Sequence, residues 1–426
     1  MKVLATLPPA TRRNLLLLFL AGFCFWSSLT CLLPALPLYI ESVGANQQQV
    51  GLVMGSFAIG LLLSRGLLGV WADRHSRRLV VQIGALAVGL APLAYLSASS
   101  LPWLALVRSF HGISIAGFTT GYSALVVDLS PREQRGEIIG YMTLVVPIGM
   151  ALGPAFGGYL ATDQGYGALF IAAGVLGLLG FLLAGQIREP RAGASQAIAA
   201  PPTPVLAPRQ LLRTLFSLRL QEFVRKPRLR IPALVLLLIG LVFGTLTTFL
   251  PAYIRDTGVG LNAGLFYTAV AAASFTVRVI AGRASDRWGR GLFITCSLLG
   301  YITSMALLAI AQNSLAFLLA AIAEGAGAGT LIPMMTALVA DRSTIAERGQ
   351  VYALCIGGFD LGIAIGGPLS GSFAGLVGYA GIFAIACGLA TTALLLFLTC
   401  SSKDLAHSFR FATGRGGDVY ALEAGS

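Results

Sequence analysis

Four ionisable side chains interrupt otherwise apolar stretches of the chain: Arg108 and His111 in LVRSFHG, Glu324 in AIAEGAGAG and Asp360 in GGFDLGIA. Ionisable groups are costly in an apolar medium unless they are paired or face water, so an acid there is by default a proton or cation site. Histidine adds a group that titrates near neutral pH. We predict that the four residues form a proton-coupling cavity. The alternatives are that Arg108 ties backbone carbonyls, that His111 is a neutral core residue, and that each acid is permanently paired with a buried donor.

The apolar composition determines which elements can position these residues. The chain has 426 residues, of which 56% are hydrophobic and 11% are charged, and its mean hydropathy is +0.82. In hydrocarbon every backbone polar group must be hydrogen-bonded within its own segment or within a closed barrel. No alternation of polar and apolar residues dominates, so the apolar runs predict helices. We therefore predict an all-α polytopic membrane protein.

Segments of about 20 apolar residues are long enough to cross a bilayer. Counting them predicts two six-helix bundles over residues 1–186 and 231–400, a cytoplasmic central linker over 187–230 with an amphipathic basic segment, and a cytoplasmic tail over 401–426. The twelve predicted spans are 14–38, 47–70, 79–97, 101–127, 137–160, 166–186, 231–254, 262–283, 291–311, 314–340, 350–373 and 379–399.

The basic residues are distributed unevenly along these spans. Of the 29 Lys and Arg residues, all except Arg108 and Arg255 fall at the termini, in the central linker, or in loops and helix ends on the same side. Cytoplasmic loops are enriched in Lys and Arg, so both termini are predicted to be cytoplasmic. The net charge of +12 is explained by anionic lipid headgroups as partners rather than by nucleic acid, because no soluble basic domain is present. The six cysteines show no CxxC spacing and no nearby histidine, so no metal site is predicted.

A charged turn occurs twice, as GVWADRHSRR at 69–78 and as GRASDRWGRG at 282–291. Identical residues recur at an offset of 213 positions, which is half the chain length. This pattern predicts two halves in the same orientation, related by a parallel repeat, with a cavity between them that opens alternately to either side. The identities are Arg65/Arg278, Gly69/Gly282, Asp73/Asp286, Arg74/Arg287, Arg77/Arg290, Asp128/Asp341, Arg135/Arg348 and Gly136/Gly349.

The repeated turn predicts a gate at the cytoplasmic face. A carboxylate at a helix end, backed by arginines, can hold two helices together, and a glycine four residues earlier permits their close approach. A positive anchor would explain the arginines but neither the aspartate nor the glycine. The predicted gating residues are Arg65, Gly69, Asp73, Arg74, Arg77, Arg78, Asp128 and Arg135 in the first half, and Arg278, Gly282, Asp286, Arg287, Arg290, Asp341 and Arg348 in the second.

GVWADRHSRR resembles the signature loop of the major facilitator superfamily, G-x-x-x-D-R-x-G-R-R/K, with Ser76 in place of a glycine. GRASDRWGRG is similar to the second-half copy, except that Gly291 replaces its final basic residue. The resemblance extends over nearly the whole chain apart from the loops. It implies a twelve-helix secondary transporter in the plasma membrane, here the bacterial inner membrane, that is monomeric and uses the proton gradient without any cofactor.

Two further segments bear on the direction of transport. GMALGPAFGG resembles the motif G-x-x-x-G-P-x-x-G-G of drug–proton antiporters, although ordinary small-residue packing is an alternative explanation. LVRSFHG is similar to the family pattern R-x-x-Q-G, which is linked to proton transfer, with His111 replacing glutamine. Together they imply efflux of a small organic molecule in exchange for protons. The antiporter-type residues are Gly149, Gly153, Pro154, Gly157 and Gly158.

Two other functions remain open. The first is a proton-coupled importer (symporter) of a sugar or organic acid, with the same fold and the opposite direction. The second is an intramembrane enzyme, which is disfavoured because the sequence contains neither HExxH nor GxSxG and its three histidines are scattered. We therefore predict that the protein is not an enzyme.

Overall fold

The computed structural model describes residues 7–97, 100–131, 134–189, 227–344 and 348–422. Within these ranges, eleven helices are long and apolar enough to cross a membrane. The predicted central linker, with its amphipathic basic segment, lies outside the described residues except for 187–189 and 227–230. The predicted domain boundaries at this linker therefore stay predictions.

The first half consists of six spans, three of which contain a local break. The helix of span 1 is interrupted between Cys31 and Leu36, span 2 is interrupted after Gly55, and span 5 after Thr143. Each break lies within a continuous apolar stretch, so the segment still crosses as one unit. Spans 1 to 6 are Pro9–Ser42, Gln47–Arg74, Arg77–Tyr95, Leu101–Leu129, Arg135–Asp163 and Gly165–Gly185.

The second half repeats this arrangement. Its last long helix, Arg348–Cys400, contains the non-helical residue Gly378 at φ 70°, a left-handed conformation that glycine adopts readily. Gly378 separates span 11 from span 12, which brings the number of spans to the predicted twelve in the described part of the chain. A tail helix follows at Leu405–Ala412. Spans 7 to 10 are Pro227–Asp256, Ala263–Trp288, Arg290–Ala309 and Ser314–Asp341.

Uncharged caps begin the spans at the predicted outer end. Asn46 forms a capping box with Gln49 at the start of span 2, while Asn262 and Asn313 accept backbone hydrogen bonds at the starts of spans 8 and 10. A side-chain oxygen there satisfies an N–H group that has no partner within the helix. At the opposite end, Ser76 caps span 3 inside the charged turn. These four caps mark where spans 2, 3, 8 and 10 begin.

The apolar cores follow the division into halves. Spans 1 to 6 share three buried clusters, and spans 7 to 12 share one. The halves meet mainly through two helix pairs, span 2 with span 11 and span 5 with span 8. These two seams position the candidate site. The predicted all-α fold of two related bundles is confirmed.

Candidate functional site

The halves contact each other closely at one end of the molecule. A Cβ atom added to Gly51 of span 2 would overlap the carbonyl of Gly367 in span 11. At the other seam, the Thr268 hydroxyl donates a hydrogen bond to the Ala151 carbonyl at 2.7 Å, and the Asn262 amide donates to the Thr162 hydroxyl at 3.2 Å. These contacts lie near the loop between spans 1 and 2, that between spans 7 and 8, and that between spans 11 and 12. By the predicted orientation, the outer end is closed.

An ion pair joins the halves at this closed end. Arg255, in the last turn of span 7, lies 2.8 Å from Glu41 at the end of span 1, and the Tyr379 hydroxyl donates to the same carboxylate at 3.2 Å. The side chain of Glu41 is only 14% exposed. Sequence reasoning recognised Arg255 only as the basic residue of the outer loops and missed Glu41 and Tyr379. The position of Arg255 as the one basic residue predicted in an outer loop could have pointed to Glu41, because an isolated arginine there favours an acidic partner.

The antiporter-type segment of span 5 has two packing faces. Gly149, Gly153 and Gly157 lie against the backbone or Cβ atoms of span 1, where Thr30 also donates to the Gly149 carbonyl at 2.9 Å. Gly158 lies instead against Asn262 of the second half. Small residues allow close approach on both faces.

Span 11 has the same two faces. Gly362 and Gly366 pack on span 7 within the second half, while Gly367 and Gly371 pack on span 2 of the first half. The proline of each segment is also at the seam: Pro154 contacts Gly264, and Pro368 contacts Gly55. Each of these helices therefore connects its own bundle to the opposite bundle. The small-residue packing alternative accounts for the contacts within each bundle, and the same two helices also form the seam between the halves.

A cavity of about 110 Å³ lies where spans 2, 4, 7 and 11 meet. Its polar lining consists of Arg108 and Asp360 from opposite halves, with Thr247 and Thr248 from span 7. The rest of the wall is apolar. The main apolar lining residues are Met54, Phe57, Ala58, Leu61, Ile115 and Ile363.

Asp360 is paired across the two halves. Its Oδ2 atom lies 2.6 Å from Nη1 of Arg65, and the side chains are 12% and 33% exposed respectively. Sequence analysis placed Arg65 in the gating set and Asp360 in the coupling set. The structure brings these two residues together. Asp360 in the second half accepts a hydrogen bond from the charged Arg65 of the first half in this conformation.

Arg108 occupies the cavity wall on the first-half side. Its guanidinium lies over the Phe57 ring at 4.5 Å from the centroid and is 3.4 Å from Nδ1 of His111. The residue is 9% exposed, and its Nε atom has no hydrogen-bond partner among the described residues. The Tyr95 hydroxyl also reaches His111 Nδ1 at 3.4 Å.

His111 and Glu324 do not line this cavity. Both are completely buried inside their own halves, and neither Glu324 oxygen has a hydrogen-bond partner in the described part of the chain. Their shared position in the repeat predicted that both face the cavity, and this prediction is wrong for the observed conformation. The reason is the glycine after each residue: Gly112 seals span 4 against span 2, and Gly325 seals span 10 against span 8.

On the helix face next to Glu324, Gly325 lies against Val270 of span 8, and Gly327 lies against the ring of Tyr301 in span 9. The Tyr267 hydroxyl also lacks a partner among the described residues. Glu324 therefore lies fully buried where span 10 contacts spans 8 and 9, and it is not among the residues that line the cavity. It stays a candidate proton site.

The charged turns contain two equivalent ion pairs. Arg77 pairs with Asp128 in the first half, and Arg290 lies 2.7 Å from Asp341 in the second. Both pairs join neighbouring spans, 3 to 4 and 9 to 10, so they strengthen one half rather than connect the two. The repeat therefore preserves an ion pair within each bundle, which refines the predicted gate.

The remaining predicted gating residues of the first half are either exposed to solvent or hydrogen-bonded within the first half. Asp73 and Arg74 are exposed, Asp73 has no ion pair with any other described residue, and no atom lies within 4 Å of a Cβ atom added to Gly69. Arg78 donates to the Ile187 carbonyl at 3.1 Å, and the Nε atom of Arg135 is buried with no partner among the described residues. In the described part of the chain, these four side chains make no ion pair or hydrogen bond to the second half at the predicted cytoplasmic end.

In the second half, Arg278 donates to the Gly329 carbonyl at 3.2 Å and so supports the contact between spans 8 and 10. This is a bond within the half, whereas its repeat counterpart Arg65 reaches across. The side-chain surroundings of Gly282, Asp286, Arg287 and Arg348 lie outside the part of the structure that is described.

Glu189, just after span 6, is a residue that sequence analysis missed. Its carboxylate accepts hydrogen bonds from the Ser76 hydroxyl at 2.7 Å and from the backbone N–H groups of Arg77 and Arg78 at 2.6 and 3.1 Å. A carboxylate at a helix N-terminus is favourable because it meets free N–H groups and the positive end of the helix dipole. Ser76, which replaces the usual glycine, thus adds a cap and a bond to Glu189.

Arg342, at the end of span 10, organises the same face of the second half. It is fully buried and forms a bidentate pair with Asp418 of the tail at 2.7 and 2.9 Å. It also donates to the carbonyls of Arg228 and Ser401 at 2.8 and 2.9 Å. The tail was predicted only as a cytoplasmic extension. Arg342 has Leu129 at the equivalent first-half position, so the repeat gave no signal for it.

Two related bundles of six spans, closed together at one end around a charged cavity, define a helical membrane transporter. The chain belongs to the Major Facilitator Superfamily, whose sequence profile matches residues 18–289 and 261–412. The predicted family is therefore confirmed. It is a multi-pass membrane protein that handles a small-molecule substrate.

The chain is similar in sequence to two named bacterial proteins and in structure to a third. The chain is 26% identical over 382 residues to the "Multi-drug resistance efflux pump PmrA" of Streptococcus pneumoniae, covering 87% of this chain and 91% of the pump. It is 26% identical over 171 residues to the "Quinolone resistance protein NorA" of Staphylococcus aureus, covering 40% and 44% of the two chains. A crystal structure of the nucleoside transporter NupG superposes with a TM-score of 0.73 at 15% identity, covering 90% and 98%, which shows a common fold alone.

Proposed function

We propose that this protein exports a small organic molecule across the bacterial inner membrane in exchange for protons. Two relatives are named as an efflux pump and a resistance protein, which favours export over import of a sugar or organic acid. The proposal includes cytoplasmic termini, a monomeric transporter, the proton gradient as energy source with no cofactor, and no enzymatic activity.

The observation that carries this proposal is the ion pair between Arg65 and Asp360. It joins the halves at 2.6 Å beside the cavity, on the side of the closed seam that faces the predicted cytoplasm. Ionised Asp360 holds Arg65 and so favours the conformation with a closed outer end. A proton on Asp360 removes the carboxylate charge and weakens this bond, which allows the halves to separate.

A cycle follows from this switch. With the outer end open, Asp360 takes a proton from outside. When the outer end closes, Arg65 pairs with Asp360 and displaces that proton to the inside. The substrate then enters the cavity and takes the place of the proton in weakening the Arg65–Asp360 pair, so that the outer end opens again with substrate bound. Glu324 carries a proton in this conformation. An ionised carboxyl would be too costly at its fully buried position, where neither oxygen has a hydrogen-bond partner among the described residues.

The test is proton movement in energised everted vesicles. A panel of candidate compounds is added, and the internal pH is followed with a fluorescent dye for wild type, Asp360→Asn and Asp163→Asn. Asp163 is an exposed acid at the end of span 5 and serves as the matched control. We expect compound-induced proton release with wild type and Asp163→Asn but not with Asp360→Asn.

Two results would contradict the proposal. Equal proton release by Asp360→Asn and wild type would remove Asp360 from the coupling mechanism. No proton response with wild type, together with uptake of a radiolabelled sugar or organic acid by whole cells, would establish import. The elution profile of each purified variant in size-exclusion chromatography controls for folding.

A further inference from the structure

The cavity between the halves carries an uncompensated positive charge. Its ionisable lining residues are Arg108 and Asp360, and the charge of Asp360 is matched by Arg65 at 2.6 Å. Arg108 has no carboxylate within ion-pair distance among the described residues. Among the described residues that line the cavity, Arg108 is therefore a cation without a carboxylate partner, whereas the acid Asp360 already has one.

Arg108 is held in place as a rigid donor. Phe57 supports one face of the guanidinium, and His111 lies behind it. Span 4, which carries Arg108, packs closely on span 2, because Gly60 lies against the Ser109 carbonyl and Gly112 against the Phe57 carbonyl. The residue is 91% buried, and while Nη1 lies 3.4 Å from His111 Nδ1, the Nε–H has no acceptor among the described residues. A buried donor in this state favours a ligand that supplies an acceptor.

The rest of the lining restricts what that ligand is. Both threonine hydroxyls already donate to their own helix, Thr247 to Phe243 at 3.0 Å and Thr248 to Gly244 at 2.7 Å. The other walls are apolar. An organic cation would lie beside Arg108 and would have to displace Arg65 from Asp360, so both electrostatic interactions oppose it.

We infer that the substrate of this cavity is an organic anion, an apolar body with a carboxylate group that binds Arg108. The inference rests on the proposed function only in taking the cavity as the substrate site. Guanidinium and carboxylate match in geometry and charge and form two parallel hydrogen bonds. Export of an anion is also assisted by a membrane potential that is negative inside.

The test is ligand binding to the purified full-length protein in detergent, with no proton gradient. The probes are benzoate, its neutral isostere benzamide and the cation benzylamine, and binding is followed by the rise in melting temperature with probe concentration. The variants are Arg108→Gln, Arg108→Lys and, as a matched control, Arg410→Gln, since Arg410 is exposed on the tail helix.

We expect wild type and Arg410→Gln to bind benzoate in preference to both other probes. Loss of a charge-assisted pair costs about tenfold or more in affinity, so Arg108→Gln should weaken benzoate binding by at least about that factor. Arg108→Lys keeps the charge without the paired donors and should lie between the two. The lysine variant also serves if the glutamine variant does not fold.

Three results would overturn the inference: no preference for benzoate over benzamide, stronger binding of benzylamine, or benzoate binding that Arg108→Gln leaves unchanged. Its failure is distinguishable from failure of the proposed antiport. Proton release in vesicles driven by neutral or cationic compounds would remove the anion site only. Benzoate binding through Arg108 in a protein that releases no protons would remove antiport only.

Discussion

Arg65 of span 2 and Asp360 of span 11 form a 2.6 Å ion pair between residues 295 positions apart, and this pair is the charged connection between the halves beside the cavity. At the closed end, the Glu41–Arg255 pair makes a second charged connection. The observed conformation is thus held by ionic bonds at two depths along the seam.

The first prediction concerns the coupling of Arg65 and Asp360. Arg65→Gln leaves a mostly buried carboxylate without its cation, and Asp360→Asn leaves the arginine without its anion, so each should destabilise the protein by about 1–3 kcal/mol. The double variant should lose clearly less than the sum. Thermal unfolding in detergent measures this double-mutant cycle. Strict additivity would show that the two side chains do not interact.

A second prediction concerns the outer closure. Thr162 and Asn262 are hydrogen-bonded across the seam, so cysteines at both positions in a cysteine-free background should cross-link with a short bifunctional reagent and stop transport. Glu41→Gln removes the ion pair with Arg255 and should lower the cross-linking yield. Asp163→Asn, nearby but unpaired among the described residues, is the control. An unchanged yield in Glu41→Gln would mean that helix packing alone closes this end.

The third prediction concerns the glycine contact between spans 2 and 11. A valine at Gly51 would overlap the Gly367 carbonyl, and overpacking of this kind costs about 1–3 kcal/mol. That is enough to reduce the population of molecules with a closed outer end about tenfold. Gly51→Val should therefore slow both transport and cross-linking between cysteines at positions 162 and 262. Gly357→Val is the control, because a Cβ atom there meets no atom within 4 Å. Normal cross-linking by Gly51→Val would contradict the close contact.

A fourth prediction concerns the tail. Arg342 is fully buried against Asp418, so Arg342→Gln or Asp418→Asn leaves an unpaired buried charge and should cost about 3–5 kcal/mol, seen as a lower Tm of the full chain. Asp404→Asn is the control, since Asp404 caps the tail helix in an exposed position and should leave the Tm unchanged. A Tm for Asp418→Asn equal to that of wild type would show that the tail contributes no stability.

The sequence by itself determined the architecture. Hydrocarbon forces the backbone into helices, so apolar length predicted the twelve spans, and the offset of 213 residues predicted the two halves. The repeat also marked Arg77 and Asp128 with their counterparts Arg290 and Asp341, and the structure shows that these residues form two equivalent ion pairs. Apolar length is a local property of each segment, and the repeat is a similarity between two segments, so both can be recognised in the sequence alone.

Only the tertiary structure decided the contacts that the candidate site uses. A repeat compares positions that correspond between halves, so it is blind to bonds between non-equivalent residues such as Arg65 and Asp360, and to unrepeated ones such as Arg342 and Asp418. The repeat also placed His111 and Glu324 at equivalent positions, but it did not show that both side chains are fully buried inside their own halves. Burial depends on how closely neighbouring helices approach, and that is set by three-dimensional packing between segments far apart in the chain.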